Sequence, residues 1–169
     1  MCRIAITGPP RIGKTTICKS VTESLGRKVG GMSTSEIRDD DRIGFRITDL
    51  MTGATGTLAH VHGPGPMIGK YHVNLADLDN IGARAIEHAL DAELIIIDEI
   101  GPMELKSERF VHAVEMALSS DRPMLVTLHQ RSRHPLAERI RSGFKVMGIT
   151  KENRDAIANR IIEEICKPR

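Results

Sequence analysis

Short apolar runs alternate with helix-period stripes along the chain. Arg3–Thr7 (RIAIT) reads as a buried strand, and Ile17, Val21 and Leu25 then recur at i, i+4, i+8, one stripe of a helix that Gly26 ends. KVGGMSTSEI, from Lys28 to Ile37, is a weaker strand. GFRITDL and TLAHVH alternate well enough for a hairpin around the GATG turn of Gly53–Gly56. VHGPGPMIGKY reads as a loop, because Gly and Pro oppose both regular structures. A helical pattern returns from Leu78 to Leu90, and ELIIID follows as a strand covered on both faces. Phe110, Val114 and Ala117 mark another helix, PMLVTL a strand, HPLAERIRS a short helix and FKVMGI a last strand. Ile157, Ile161 and Ile165 stripe a C-terminal helix. Strands alternating with helices predict an α/β fold whose parallel sheet carries helices on both faces. The hairpin within Gly44–Val61 is expected as an insertion on one edge, and RDDDR (Arg38 to Arg42) as a solvated turn.

Composition narrows the function classes. The 169 residues suit one domain spanning 1–169, with a core of Ile, Leu, Val, Ala and Met, since there is no Trp, one Tyr and three Phe. So few aromatics argue against a stacking platform for single strands, and no nucleic-acid partner is expected. A net charge of +2 leaves any anion site to local placement. Cys2, Cys18 and Cys166 lie far apart without a CxxC pair, which fits a reducing compartment rather than structural zinc or a disulfide framework. No segment has the length of a membrane span, so a cytoplasmic protein without membrane partners is expected. His60, His62, His129 and His134 lack metal-like pairing and read as loop or strand-end residues.

The chemistry concentrates at two places. Gly8-Pro9-Pro10-Arg11-Ile12-Gly13-Lys14-Thr15 matches GxxxxGK[ST] between a predicted strand and a predicted helix, the context this pattern requires. With Gly near 7% of residues, a chance match in a chain of this length has odds of about 0.6%. The two glycines let successive N–H groups turn inward around an anion, and the helix beginning near Gly13 adds its positive end. Lys14 is placed to reach β- and γ-phosphates, and the Thr15 hydroxyl to ligate Mg²⁺. Pro9 and Pro10 stiffen the loop.

Leu94-Ile95-Ile96-Ile97-Asp98-Glu99 puts two carboxylates at the carboxyl end of a buried strand, the edge where open α/β sheets bind ligands. Asp98 is expected to hold Mg²⁺, and Glu99 to orient and partly deprotonate an attacking water. Arg131 and Arg133 follow the strand PMLVTL toward the same edge, with Arg139 and Arg141 a turn or two beyond. An arginine there would stabilise charge on the transferred phosphoryl group.

GPPRIGKTT, IGFRITDL, GKYHVN, LIIIDEIGPMEL, the RxxHP of Arg131–Pro135 and TKENRD, in this order from Arg3 to about Ile165, resemble the small nucleoside-triphosphatases of thermophilic archaea and bacteria, whose vertebrate relative is called cancer-related nucleoside-triphosphatase. The resemblance implies a P-loop three-layer sandwich of the additional-strand (RecA-like) type with a β-hairpin insertion. It implies Mg²⁺-dependent hydrolysis of ATP, GTP, CTP, UTP and TTP to diphosphate, with little base preference. By position, Gly8 to Thr15, with Thr16, carry over as nucleotide-binding, as do Leu94 to Gly101 including Ile100. Thr15 and Asp98 fall at the metal positions. Lys14, Glu99 as base and Arg131 as phosphate-side arginine fall at the catalytic ones. Arg11 stands where the family commonly has Gly, and GPM at Gly101–Met103 where some members have GKM. A small-molecule or nucleotide kinase with an arginine-bearing lid, and a nucleotide-gated switch awaiting a protein partner, remain open as alternatives. Asn153, Arg154 and Tyr71 are each readable as near the base or as fold residues.

Overall fold

A computed structural model describes residues 1–167. In chain order the elements are β1 (Arg3–Thr7), α1 (Lys14–Leu25), β2 (Val29–Asp39), β3 (Asp41–Asp49), β4 (Thr55–His60), β5 (Met67–Ile68), β6 (Tyr71–Val73), α2 (Leu75–Asp77), α3 (Arg84–His88), β7 (Leu94–Ile100), α4 (Glu108–Ser119), β8 (Met124–Leu128), α5 (Pro135–Gly143), β9 (Lys145–Gly148) and α6 (Arg154–Cys166). The strands form one sheet in the order β5-β6-β4-β3-β2-β7-β8-β1-β9. From β2 to β9 every neighbouring pair is parallel. β8 lies between β1, which feeds the glycine-rich loop, and β7, which carries the acids. That is the additional-strand arrangement.

The alternation of β7 explains the three layers. Ile95 and Ile97 join a core with α3, α4 and α5 on one face, whereas Leu94 and Ile96 join a second core with α1 and α6 on the other. All four are fully buried, and burial of side chains this size contributes about 1.5–3 kcal/mol each. KVGGMSTSEI, the weaker strand by pattern, is central in the sheet, and its close approach to β7 explains its glycine. Gly31 has φ 109°, and a Cβ there would stand 1.9 Å from the Ile96 carbonyl oxygen across the β2–β7 pair.

Three expectations are corrected or extended. The stretch VHGPGPMIGKY is not all loop: β5 and β6 form a small hairpin that pairs onto β4. Strands of two and three residues are too short for alternation to register. The edge hairpin also starts earlier than Gly44, since β2 continues to Asp39 and pairs with β3. RDDDR is the tip of that hairpin, with Arg38 and Asp39 to Asp41 exposed and Asp40 at φ 55°. The helix expected over Leu78–Leu90 begins at Leu75, capped by the Asn74 side chain. It passes through a π-helical stretch over Leu78–Ala83 and ends in a 3₁₀ turn over Ala89–Asp91. Among the described residues no helix is long and apolar enough to cross a membrane.

Candidate active site

The glycine-rich loop connects β1 to α1, and little side-chain chemistry shapes it. Ile12, 7% exposed, is sunk into the core beneath the loop while Pro9, Pro10 and Arg11 stand in solvent. The Ile12 N–H donates to the Pro9 carbonyl at 3.3 Å, closing a tight turn. A Cβ on Gly8 would lie 3.1 Å from both the Ile149 carbonyl oxygen and Ile12 Cγ2, so the loop rests directly on the segment after β9. Gly13 caps α1 at φ 113°. No side chain caps that helix, and no acid occupies its first turn. Its first N–H groups and the positive end of its dipole are thus left for an anion. Lys14 Nζ donates to the Gly8 carbonyl at 2.9 Å and to that of Pro9 at 3.2 Å, which holds the ammonium over the loop. Thr15 and Thr16 are exposed on the first turn.

The acids lie one strand beyond β8. Asp98 is 2% exposed; its Oδ1 accepts from Thr127 Oγ1 at 2.7 Å, and its Oδ2 is buried with no partner. Burial raises the Asp98 pKa, opposed by Thr127, Thr15 and Lys14. Glu99 is half-buried, its carboxyl raised by burial and by Asp98 and lowered by Lys14. Lys14, Thr15, Asp98 and Glu99 therefore share one small volume at the carboxyl edge of the sheet.

A third acid escaped the sequence reading. Glu104, 3% exposed, opens a 3₁₀ turn after β7, and its Oε2 accepts from the Gly101 N–H at 3.1 Å. Burial, then the charge of Glu99, pushes its carboxyl well above the ordinary range. The signal in the chain was an acid between Met103 and Leu105, whose apolar side chains pack against the core.

The arginines divide into a clamp, Arg141, and exposed heads. Arg141 Nη1 donates to the Ser132 carbonyl at 2.7 Å and Nη2 to the His129 carbonyl at 3.2 Å, fastening the segment between β8 and α5. His134 caps α5 by accepting from the Leu136 N–H. Arg131 and Arg133 stand exposed on this fastened segment, and among the described residues their guanidinium groups make no hydrogen bond within the protein. Arg139 is exposed on α5. Burial, then Lys14 and Arg131, lowers the His129 pKa, which puts both cations near that ring.

Tyr71 and Asn153 are engaged by the fold. Tyr71 meets Phe45 edge to face at 5.1 Å, and its hydroxyl accepts from Arg42 Nε at 2.9 Å. Asn153 Nδ2 donates to the Gly148 carbonyl at 2.9 Å while Oδ1 accepts from the Thr150 N–H at 2.8 Å, bracing the segment on which Gly8 rests. Arg154 is exposed beside Asp155. His60 and His62 sit 5.8 Å apart at the end of β4, and among the described residues no three His, Cys, Asp or Glu side chains converge as a metal centre. A surface depression lined by Cys2, Arg27, Met116 and Cys166 is open to solvent and touches neither the glycine-rich loop nor Asp98, Glu99 and Glu104.

A strand–loop–helix anion cradle, an acidic neighbouring strand end and an additional strand between them define a P-loop nucleoside-triphosphatase fold. The family model described as NTPase matches residues 3–162. The chain is 54% identical to nucleoside-triphosphatase THEP1 of Methanosarcina acetivorans, over 95% of each chain, and 46% identical to that of Archaeoglobus fulgidus, over 98% of this chain and 97% of that one. It superposes on the crystal structure of THEP1 from Aquifex aeolicus with a TM-score of 0.89 at 33% identity, covering 98% and 99% of the two chains. It superposes on the solution structure of a human cancer-related nucleoside triphosphatase with a TM-score of 0.84 at 32% identity, over the whole of both. The chain belongs to this THEP1 nucleoside-triphosphatase family, and its activity is that of a hydrolase.

Proposed function

We propose that the chain hydrolyses ATP, GTP, CTP, UTP and TTP to the diphosphate and phosphate, with Mg²⁺ and little preference among bases. The observation that carries this reading is the buried, unpartnered Oδ2 of Asp98 beside the phosphate loop. A buried carboxylate oxygen without a donor is costly unless a cation meets it. Hard oxygen donors from Asp98 and the Thr15 hydroxyl suit Mg²⁺. Bound there, the ion would neutralise charge on the β- and γ-phosphate oxygens. The N–H of Gly13 and the first N–H groups of α1 hold the phosphate tail, and Lys14 gives up its carbonyl contacts to reach the β- and γ-phosphates. Glu99 accepts a proton from the attacking water. Arg131 swings from solvent toward the γ-phosphate as negative charge builds. The engagement of Tyr71 and Asn153 within the fold supports weak reading of the base. Free cysteines suit a cytoplasmic setting.

The test is phosphate release from the five triphosphates with and without Mg²⁺, beside the variant Glu99→Gln. Turnover should require the ion, vary little with base and fall by about 10²–10⁴-fold in the variant, with calorimetric nucleotide affinity retained. Undiminished turnover by Glu99→Gln removes the base assignment. Phosphate transfer that appears only with an added acceptor turns the reading toward a kinase.

A further inference from the structure

Glu104 has no part in the reaction above, yet a carboxyl group is buried there at a desolvation cost that an apolar side chain would avoid. Its neighbours Met103 and Leu105 pack on the core, so packing alone gives no reason for an acid. Its side chain accepts a hydrogen bond from the Gly101 N–H, while its backbone carbonyl accepts from the Ser107 N–H. A Cβ placed on Gly101 would stand 2.7 Å from Glu99 Oε1 and 3.1 Å from Glu104 Oε2, so both carboxyl groups flank the same empty point. The turn that Glu104 fastens is the surface against which the Glu99 side chain lies.

We propose that Glu104 is a positioning residue which, by fastening Gly101, fixes the direction in which Glu99 presents its carboxylate to water. The inference rests on Glu99 being the base. Burial and the charge of Glu99 favour the neutral acid at Glu104, and a glutamine reproduces its shape, its neutrality and its acceptor oxygen.

The experiment measures phosphate release from ATP with Mg²⁺, nucleotide affinity by calorimetry and melting temperature for Glu104→Leu, Glu104→Gln, Glu99→Gln and the double variant Glu104→Leu/Glu99→Gln. Misdirecting a reacting group by about 1 Å costs on the order of 10²-fold, so Glu104→Leu should lose about that much turnover. Its nucleotide affinity should stay within about twofold, since the lost interaction acts only in the transition state. Glu104→Gln should keep most of the turnover, and the double variant should be no slower than Glu99→Gln alone. Wild-type turnover in Glu104→Leu, or a double variant slowed further by the full single-variant factor, overturns the proposal. So does a Glu104→Gln variant as slow as Glu104→Leu. If Glu104→Leu does not fold, Gly101→Ala decides the matter, because its Cβ pushes on Glu99 Oε1. Unchanged turnover there is equally fatal. A fully active Glu99→Gln removes the base assignment instead, a separate failure.

Discussion

The phosphate loop and the acidic turn occupy the same edge of the sheet and are built by opposite means. The loop is backbone: glycines make the curve, one buried isoleucine anchors it, and its charged heads stand in or near solvent. Lys14 is already satisfied by two carbonyl groups before any ligand arrives. The turn from Asp98 to Glu104 is side chain: its carboxyl groups are buried or half-buried, each raised first by burial, with an orphaned oxygen among them. One region keeps backbone donors and a helix end open to an anion, and the other keeps a buried carboxylate oxygen that no donor meets. The loop should therefore govern whether a triphosphate is held, and the turn whether it is cleaved.

That division is broken most directly by comparing Lys14→Ala with Glu99→Gln. Loss of a charged hydrogen-bond donor is worth about 1.5–3 kcal/mol, so Lys14→Ala should weaken nucleotide binding about 10- to 160-fold and lower turnover as well. Glu99→Gln should bind as the wild type does and lose only turnover. Calorimetry and phosphate release on both proteins give the answer. Equal affinity losses in the two would mean that the regions are not separate in function.

What was legible in the chain follows the same division. The loop is contiguous and depends on glycine positions and one lysine, so a pattern of eight residues contained nearly all of it. β7 was equally plain, because a strand buried on both faces must be apolar at consecutive positions. The order of the strands is not a local property, and its expectation came from the family likeness. Glu104 is not legible because its importance is burial, and burial is set by a fold assembled from distant segments. Asn153 and Tyr71 looked available for the base for the same reason. Their partners Gly148 and Thr150, or Phe45 and Arg42, matter only once the chain is folded. β5 and β6 were missed because three residues cannot display a period.

Acidity sharpens the comparison on a smaller scale. Glu104 has an ordinary value of 4.5 and is held well above it in the folded state. Between those values the native protein binds more protons than the unfolded chain, so this group's contribution to stability is complete below 4.5 and is lost as pH rises through the folded value. Glu104→Gln has no proton to lose. The melting temperature of Glu104→Gln minus that of the wild type, both nucleotide-free, should therefore increase as pH rises above the ordinary carboxyl range. Taking the difference cancels the carboxylates that do not interact with Glu104, while Glu99 and Asp98, which do, still contribute to it. A flat difference would mean that the acid is not buried as described.

The loop should show a smaller effect that owes nothing to charge. Arg11 lies at φ 63°, a left-handed conformation that costs a residue with a Cβ about 1–2 kcal/mol. Arg11→Gly relieves that cost and gives back about 0.5–1 kcal/mol through the freer unfolded chain. A net gain of up to about 1.5 kcal/mol would raise the melting temperature by up to about 6 °C in a chain of this size. Gly13→Ala should do the reverse, because at φ 113° a Cβ meets no atom within 4 Å yet the backbone itself is unfavourable. Opposite shifts from the pair, measured by thermal melting without nucleotide, identify backbone conformation as the agent that shapes the loop. A fall with Arg11→Gly would mean that the arginine head contributes more than its strain removes, and the loop would no longer count as a backbone-built region.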